Sequence, residues 1–262
     1  SPQLVFDEMV KYIEKYGAQN FDLYDLTAIV KKSWIVEFCD IILASGREFT
    51  WQLPSGTRSE AIDEEVVDKL WRSGCRNMNY APESGSEEVL KRIKKKVSLP
   101  RLVDSMKAAI KQGLSVKINM IFAFPDDSFS DMWKNYAFGI KCAWYGAEDS
   151  TFIPFVPYPG SELYEDLVGR GQIEPMSDSY FNSLIPFSDL QNAKSYNQNF
   201  KDWHLVWARY IYFALFYGTM FIRWPSRPIR IIRNLLTGRQ ESRGEEIIQN
   251  ILSRKKRIET ST

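Results

Sequence analysis

The 262-residue sequence predicts an α/β fold: a partial (β/α)6 barrel that lacks its first strand and is followed by a helical C-terminal extension. Short runs rich in β-branched and aromatic residues alternate with amphipathic helical segments up to about residue 171. This alternation favours parallel strands joined by right-handed crossovers. The chain also opens with a helix that no strand precedes. A doubly wound open sheet is the alternative fold that the same pattern allows.

The first elements are placed by apolar spacing and by the residues that begin or end helices. Serine, aspartate and proline favour helix starts, whereas glycine favours helix ends. These signals predict helices at residues 1–17, 33–46 and 63–74, and strands at residues 21–26 and 49–53.

The next elements continue the same alternation. Strands are predicted at residues 76–81, 116–124 and 151–156, with helices between them at residues 86–113 and 130–146. Pro100 predicts a break in the longer of these two helices, because proline removes a backbone hydrogen bond in a helix interior.

Two of the predicted strands carry polar residues on one face. Side chains alternate between the two faces of a strand, so Asn77, Asn79 and Glu83 share a face, as do Lys117 and Asn119. Buried parallel strands are normally apolar on both faces. The pattern therefore predicts a barrel interior that holds a polar ligand. The alternative is that these amides only satisfy one another.

The composition is that of a soluble globular protein, with 44% hydrophobic and 26% charged residues. Charge is unevenly placed. Residues 1–200 carry 22 Lys and Arg against 28 Asp and Glu, or −6, whereas residues 201–262 carry 12 against 5, or +7. We therefore predict a partial barrel (1–171), a linker (172–200) and a basic, aromatic-rich helical extension (201–262). No nucleic-acid partner is expected, and the expected location is the cytoplasm.

The extension is crowded with aromatic residues between Leu205 and Trp224. The uncharged run between Arg209 and Arg223 is too short to span a bilayer. We predict a helix at residues 205–222 that docks on the barrel, with Trp207, Phe213 and Tyr217 largely against protein. A helix lying at a membrane surface, with peripheral contact through residues 205–236, is the alternative.

The cysteines do not form a metal-binding or disulfide pattern. Cys39, Cys75 and Cys142 are odd in number and far apart, which suits a reducing compartment. We interpret them as small buried hydrophobic residues. His204 is the only histidine, so a site with several histidines is excluded. No metal ligand is therefore predicted in this chain.

Short motifs stand at the predicted strand ends, where barrel enzymes place their active sites. In the order of the chain they are YDLT at 24–27, Arg58, APESGSE at 81–87, AFPDDS at 123–128 and PYPGS at 157–161. In this order and spacing they resemble the motifs of the radical S-adenosylmethionine (radical SAM) superfamily, over roughly two-thirds of the chain. The resemblance is closest to the branch whose members usually carry an N-terminal cobalamin-binding domain. That branch includes methyltransferases and the anaerobic magnesium-protoporphyrin ester cyclase.

The resemblance implies a TIM-like barrel that binds SAM and a [4Fe–4S] cluster, with cobalamin bound by a further N-terminal domain. In this family, reductive cleavage of SAM at the cluster yields a 5′-deoxyadenosyl radical, which the barrel shields from water and oxidants. A ferredoxin or flavodoxin is the implied reductant.

The resemblance also implies which residues bind SAM. Glu83 is placed to accept the ribose hydroxyl groups, with Ser84 as a second partner. Capping of the next helix is the alternative role of Glu83. Arg58 is placed to bind the methionine carboxylate through paired hydrogen bonds, and a surface salt bridge with Glu60 or Asp63 is its alternative.

Three further residues complete the expected SAM site. Asp25 occupies the place where the family holds the methionine amine. Tyr158 belongs to the turn that would close over the adenine. Asn119 lies on the polar strand face that the sequence predicts for the barrel interior.

The chain departs from the family pattern in two ways. The cluster-binding CxxxCxxC loop is absent, and Ala81 and Asp126 stand where the branch usually has glycine. We expect Asp126 to take up the left-handed turn, which aspartate tolerates better than most residues. We expect Asp127 and Ser128 to cap the following helix.

The sequence is accordingly interpreted as part of a radical SAM enzyme that methylates, cyclises or rearranges an organic substrate, with this stretch alone expected to be inactive. The expected substrate is a small molecule, or a lipid or tetrapyrrole-like molecule. The alternative function is a catalytically inactive barrel that serves as a binding or scaffold module.

Overall fold

The computed structural model describes residues 1–24, 31–57, 62–184 and 193–238. Within these ranges five strands form one parallel sheet, in which each strand pairs with the next in the chain. A doubly wound sheet would reverse its strand order, and the described strands do not. The predicted partial barrel of sequential parallel strands is therefore confirmed. The strands are β1 (Asn20–Asp22), β2 (Thr50–Thr57), β3 (Cys75–Glu83), β4 (Ser115–Phe122) and β5 (Asp149–Pro154).

The described residues also contain ten helices. Most begin at the caps that the sequence indicates; for example, the Asp63 side chain accepts a hydrogen bond from the Val66 amide. The helices are α1 (Pro2–Tyr16), α2 (Lys32–Ser45), α3 (Glu64–Arg72), α4 (Glu87–Arg92), α5 (Leu99–Gln112), α6 (Phe129–Tyr145), α7 (Glu162–Gly169), α8 (Asp178–Asn182), α9 (Asp202–Arg223) and α10 (Ser226–Thr237).

The predicted break near Pro100 is confirmed. It falls at residues 93–98, and Pro100 lies in the first turn of α5. Proline is tolerated there because the first helical amides have no partner within the helix. Helix α2 begins at Lys32 rather than after Ser33. Strand β1 ends at Asp22, and residues 25 and 26 of the predicted strand lie outside the described ranges.

The main hydrophobic core lies between the outer face of the sheet and the helices. Buried and half-buried residues alternate along the whole of β4 and along most of β3. Helices α3, α5, α6 and α9 cover the buried outer face. The opposite, inner face consists of the half-buried residues. The core residues of the two strands are Met78, Tyr80, Val116, Ile118, Met120 and Phe122.

Helix α9 docks on the outer face of β5, alongside α6. The ring of Tyr212 stacks on Phe152 with ring centroids 4.0 Å apart, and its hydroxyl lies 2.7 Å from the Ser150 hydroxyl. Gly139 of α6 makes room for this ring, because a Cβ at residue 139 would lie 2.4 Å from a Tyr212 ring carbon. The prediction of a helix at 205–222 that docks on the barrel is confirmed.

A second contact of α9 reaches the inner face of the sheet. The Tyr217 hydroxyl donates a 2.6 Å hydrogen bond to the Asp149 carboxylate, and Lys117 lies 3.1 Å from the same carboxylate. Burial raises the pKa of the Tyr217 hydroxyl above its ordinary value, and the nearby Asp149 carboxylate adds to the rise. Tyr217 is therefore the proton donor of this pair.

The predicted burial of the α9 aromatic residues is only partly correct. Phe213 and Tyr217 are half-buried, but the Trp207 side chain is 60% exposed. Among the described residues α9 is the one helix that is long and apolar enough to cross a membrane by length and composition alone. Its contacts with α6 and β5 instead bury one side against protein.

Candidate functional site

The inner face of the sheet is polar across all five strands. Neighbouring side chains pair across this face: Gln52 donates to Asp22 over 2.6 Å, and Thr151 donates to the Asn119 side-chain oxygen over 2.8 Å. The amides therefore satisfy one another in part, as the alternative interpretation expects. The polar residues of the inner face are Asn20, Asp22, Thr50, Gln52, Asn77, Asn79, Lys117, Asn119, Asp149 and Thr151.

Asn119 retains hydrogen-bonding capacity on the inner face. Its hydrogen bond from Thr151 uses the side-chain oxygen, while within the described ranges its amide group has no hydrogen-bond acceptor. An amide group has two N–H donors that need an acceptor or water when they are withdrawn from solvent. Asn119 is half-buried, so this side chain can offer donors to a polar ligand.

Glu83 ends β3 in an unusual backbone conformation. Its φ is 69°, in the left-handed region that residues with a side chain rarely adopt. Its carboxylate accepts a 2.8 Å hydrogen bond from Lys95 and is 22% exposed. Because such conformations cost free energy and cluster at functional sites, Glu83 is a candidate binding residue.

Two consecutive lysines bring the ends of β3 and β5 together. Lys95 binds Glu83, while Lys94 binds Glu162 at the start of α7 over 2.8 Å. Glu162 directly follows the turn at 158–161, in which the Tyr158 carbonyl accepts hydrogen bonds from Ser161. Since adjacent Cα atoms are only about 3.8 Å apart, Glu83 and the Tyr158 turn lie at the same carboxyl edge of the sheet. The Tyr158 side chain is exposed there.

Ser84 does not face this edge. It is fully buried, its hydroxyl donates a 2.8 Å hydrogen bond to the Asn135 side chain of α6, and it accepts one from the Ser86 amide. The expectation that Ser84 is a second ribose partner is therefore not supported by the geometry. Because the Ser84 hydroxyl both donates and accepts a hydrogen bond within the protein, it holds the turn after β3 against α6.

The whole turn after β3 is fixed to α6. Asn135 also accepts a 2.7 Å hydrogen bond from the Gly85 amide, and the Ser86 hydroxyl donates to Asp131 over 2.7 Å. A Cβ at Gly85 would lie 2.7 Å from the Lys134 carbonyl oxygen, so the turn and the helix are in direct contact. The serines and glycine of APESGSE therefore position Glu83.

Asp127 of the AFPDDS segment and Asp131 of α6 are both buried, and both lie near Arg92. Burial raises the pKa of Asp127 to about 6, although the Phe124 amide and Arg92 both donate to its carboxylate and oppose the rise. Burial also tends to raise the pKa of Asp131, but hydrogen bonds from Ser128 and Ser86 outweigh it and lower this pKa to about 2. Ser128 and Asp131 form a capping box at the start of α6, as predicted for Ser128.

The strained residue of AFPDDS is Ala123, not Asp126. Ala123 has a φ of 59°, whereas Asp126 is absent from the described residues with positive φ. The expectation that Asp126 takes up the left-handed turn is therefore wrong. Ala123 stands at the first position of the motif, directly after β4.

Ala123→Gly is expected to raise the free energy of unfolding by up to about 1 kcal/mol, because a left-handed residue with a Cβ costs about 1–2 kcal/mol and the unfolded-state entropy of glycine offsets part of the gain. Chemical denaturation measures the change. The matched control is Ala108→Gly within α5, which is expected to lower stability by about 1 kcal/mol. Equal destabilisation by both variants would contradict the strain at Ala123.

Ala81, which like Asp126 stands where the branch usually has glycine, is accommodated by β2. A Cβ at Gly56 would lie 2.5 Å from the Ala81 Cβ. The added methyl group therefore fills the space left by glycine on the neighbouring strand.

The other expected SAM contacts, Asp25 and Arg58, lie outside the described residues. Their roles stay predictions. Lys94, Lys95 and Glu162 were not identified from the sequence, because a run of lysines normally indicates a solvated surface. The only sequence signal was the position of the two lysines shortly after APESGSE and of Glu162 directly after PYPGS.

The cysteines do not fit a [4Fe–4S] cluster. All three are buried on separate elements, and no group of three His, Cys, Asp or Glu residues within the described ranges could hold a metal. Burial raises the pKa of Cys39 to about 11 and of Cys142 to about 12, and it also raises that of Cys75. Thiols with raised pKa are poor metal ligands, because the thiolate is the ligating form.

Comparison with known proteins supports the resemblance. The curated relatives include "Uncharacterized methyltransferase PH0819" of Pyrococcus horikoshii, 24% identical over 195 residues that cover 74% of this chain and 41% of the relative. They also include "Cytidylyl-2-hydroxyethylphosphonate methyltransferase" of Streptomyces wedmorensis, 28% identical over 187 residues, or 69% of this chain and 34% of the relative. The chain thus spans well under half of these relatives.

A solved structure has the same fold. The radical SAM methyltransferase TsrM from Kitasatospora setae, with cobalamin and a [4Fe–4S] cluster bound, gives a TM-score of 0.55 at 14% identity. The match covers 68% of this chain and 37% of TsrM. The model of the Radical SAM superfamily matches residues 2–139, more than half of the sequence. With the sequential parallel sheet and the motifs at its carboxyl edge, this match shows that the chain belongs to the radical SAM superfamily.

Proposed function

We propose that the whole protein binds SAM at the carboxyl edge of the sheet and cleaves it reductively to modify a small organic substrate. The observation that carries this proposal is Glu83, a half-buried carboxylate held in a left-handed conformation at the end of β3, beside the Tyr158 turn. Two curated relatives are named methyltransferases, which favours methyl transfer over cyclisation or rearrangement.

Each described site residue has a defined task in this proposal. Glu83 accepts the ribose hydroxyl groups through the oxygen that Lys95 does not occupy, while Asn119 donates to a polar group of the ligand from the inner face. The turn at Tyr158 closes over the adenine. Asp25 and Arg58 keep their expected contacts with the methionine amine and carboxylate. The α6-anchored turn keeps the Glu83 carboxylate aimed at the site.

The cofactors are assigned at the level of the family. In this family a [4Fe–4S] cluster would supply the electron for SAM cleavage, and the described cysteines do not fit such a cluster. We therefore assign its ligands, and those of a cobalamin, to parts of the protein other than these residues. A ferredoxin or flavodoxin as reductant and a lipid or tetrapyrrole-like substrate stay predictions.

The Glu83 assignment is tested by SAM binding to the whole protein carrying its cluster. Glu83→Ala is expected to weaken SAM affinity by about 1.5–3 kcal/mol, which is about 10- to 150-fold, because a hydrogen bond to a charged group is lost. Isothermal titration calorimetry measures the change. Glu87→Ala, an exposed glutamate of the same segment, is the matched control and should leave affinity unchanged.

A second variant separates the ribose contact from the ion pair. Lys95→Gln removes the partner of Glu83 while leaving the carboxylate in place. If Glu83 contacts SAM directly, the Lys95→Gln variant should lose little SAM affinity. Equal losses in Glu83→Ala and Lys95→Gln, or unchanged affinity in both, would reassign Glu83 to the structural ion pair.

The second candidate function, a barrel without catalysis, rests on the misfit of the cysteines. The same calorimetry distinguishes the two functions, because a barrel that serves only as a scaffold is not expected to bind SAM through Glu83. A whole protein that lacks CxxxCxxC in every part would favour this candidate.

A further inference from the structure

Helix α9 is apolar on both sides, although only one side is buried. Leu205, Tyr212 and Phe216 recur at helical spacing and are buried against α6 and β5. The opposite side carries exposed rings and aliphatic chains, with Trp203 57% and Ile222 81% exposed. A helix that is apolar all round normally has both sides withdrawn from water.

Helix α10 repeats this arrangement. Arg227 and Asn234 are buried on its docked side, where Arg227 donates to the carbonyl groups of Gly146 and Ala147. Its far side is apolar and exposed. We call the exposed apolar residues of both helices the outer apolar face: Trp203, Trp207, Tyr210, Ile211, Phe221 and Ile222 of α9 and Ile229, Ile232 and Leu236 of α10.

The charge along α9 and α10 is mainly positive. Residues 202–238 contain five arginines, no lysine and one acidic residue, Asp202 at the start of α9, whose carboxylate accepts a hydrogen bond from the Ser195 amide. Arg227 and Arg230 reach back to Glu148 and help to dock α10. Arg223 and Arg233 are exposed beside the apolar residues, and Arg223 lies 5.4 Å from the ring of Trp144, another exposed tryptophan.

We infer that the outer apolar face lies in the interfacial region of an anionic lipid bilayer. Tryptophan and tyrosine, with an apolar body and a polar tip, favour the level of the lipid headgroups, and the aliphatic side chains between them favour the acyl boundary. Arginines near the surface attract anionic lipids, and acidic residues would be repelled. The outer apolar face contains such aromatic and aliphatic side chains, and exposed arginines lie beside it. The one acidic residue of α9 and α10 is Asp202, at the N-terminal end of α9.

The docked side of α9 fixes how the helix meets the lipid. Tyr212 is held by Phe152, Ser150 and Gly139, so α9 cannot leave the sheet to cross the bilayer. The helix therefore lies along the membrane surface and presents only its outer side. The sequence adds four consecutive basic residues at 254–257, which favours the same anionic partner. This inference is independent of the SAM site.

Vesicle binding by the full-length natural protein tests the inference. We expect binding to phosphatidylcholine vesicles that contain about one-third phosphatidylglycerol, with a blue shift of tryptophan fluorescence, and much weaker binding to pure phosphatidylcholine. Each arginine near the surface contributes about fivefold, so Arg223 and Arg233 together account for about 25-fold. Binding should weaken as salt rises.

The apolar contribution is tested with matched variants. Trp207→Ser with Ile222→Ser is expected to weaken partitioning by about tenfold or more, because two exposed apolar side chains no longer insert. The control pair is Leu4→Ser with Tyr16→Ser on α1, which are equally exposed apolar residues away from this face. The control pair should bind vesicles like the natural protein.

Several results would overturn the inference. One is equal binding to neutral and anionic vesicles, and another is no binding to either. A third is an equal loss of vesicle binding in the α9 variant pair and in the α1 control pair. Self-association without vesicles that the Trp207→Ser, Ile222→Ser variant abolishes would assign the face to a second copy. Protection of Trp207 from acrylamide quenching before vesicles are added would assign it to another part of the protein.

Discussion

Tyr212→Ala is expected to lower the free energy of unfolding by about 3–5 kcal/mol, the usual cost of removing a large buried aromatic side chain. Tyr212 is 1% exposed and stacks on Phe152, and its hydroxyl bonds to Ser150. The variant would leave a cavity between α6, α9 and β5 and would remove one partner of the Ser150 hydroxyl, which would still donate to the Ile118 carbonyl. Chemical denaturation followed by circular dichroism measures the loss.

The neighbouring Tyr210 provides the matched control. It lies on the same helix, but its side chain is 60% exposed. Tyr210→Ala should change stability in solution by less than about 0.5 kcal/mol. If Tyr212→Ala cost no more than this control, α9 would not be docked through Tyr212.

Gly85→Ala is expected to destabilise the protein by about 3 kcal/mol or more. The new Cβ would lie 2.5 Å from the Phe138 Cβ and 2.7 Å from the Lys134 carbonyl oxygen, so the backbone of α6 has to move. Overpacking typically costs about 1–3 kcal/mol, and separation from α6 also weakens the two hydrogen bonds to Asn135 at about 1 kcal/mol each. Thermal and chemical denaturation measure the loss.

Gly218→Ala in α9 is the control for this substitution. Nothing lies within 4 Å of a Cβ at residue 218, so alanine should be tolerated and should gain helix propensity of up to about 1 kcal/mol. A neutral Gly85→Ala variant would show that the turn after β3 is not held tightly against α6. In that case contact with α6 would not be what positions the Glu83 carboxylate.

Features set by local periodicity could be predicted from the sequence. The alternation of Asn77, Asn79, Lys117 and Asn119 follows from the two-residue period of a strand, and all four lie on the inner face. The Ser128 cap follows from neighbouring residues. These features depend on positions within a few residues of one another, so one sequence is enough to identify them.

Features set by distant contacts could not be predicted. Ser84 bonds to Asn135, 51 residues away, and no local pattern distinguishes that contact from a ligand contact. Ala123 takes the left-handed conformation because of where β4 ends, whereas residue type alone favoured Asp126. The exposure of Trp207 depends on which side of α9 meets α6, and an all-apolar helix does not indicate that side.

The bond between Tyr217 and Asp149 bears on how this protein can be divided or recombined. Asp149 belongs to the inner face of the sheet and pairs with Lys117, so a residue of the C-terminal extension helps to hold an ion pair on the inner face. Cutting the chain before α9 would leave that carboxylate without one donor and the outer side of β5 uncovered. Barrel and extension therefore stabilise each other, and we expect an exchange of extensions between related proteins to require a matching β5.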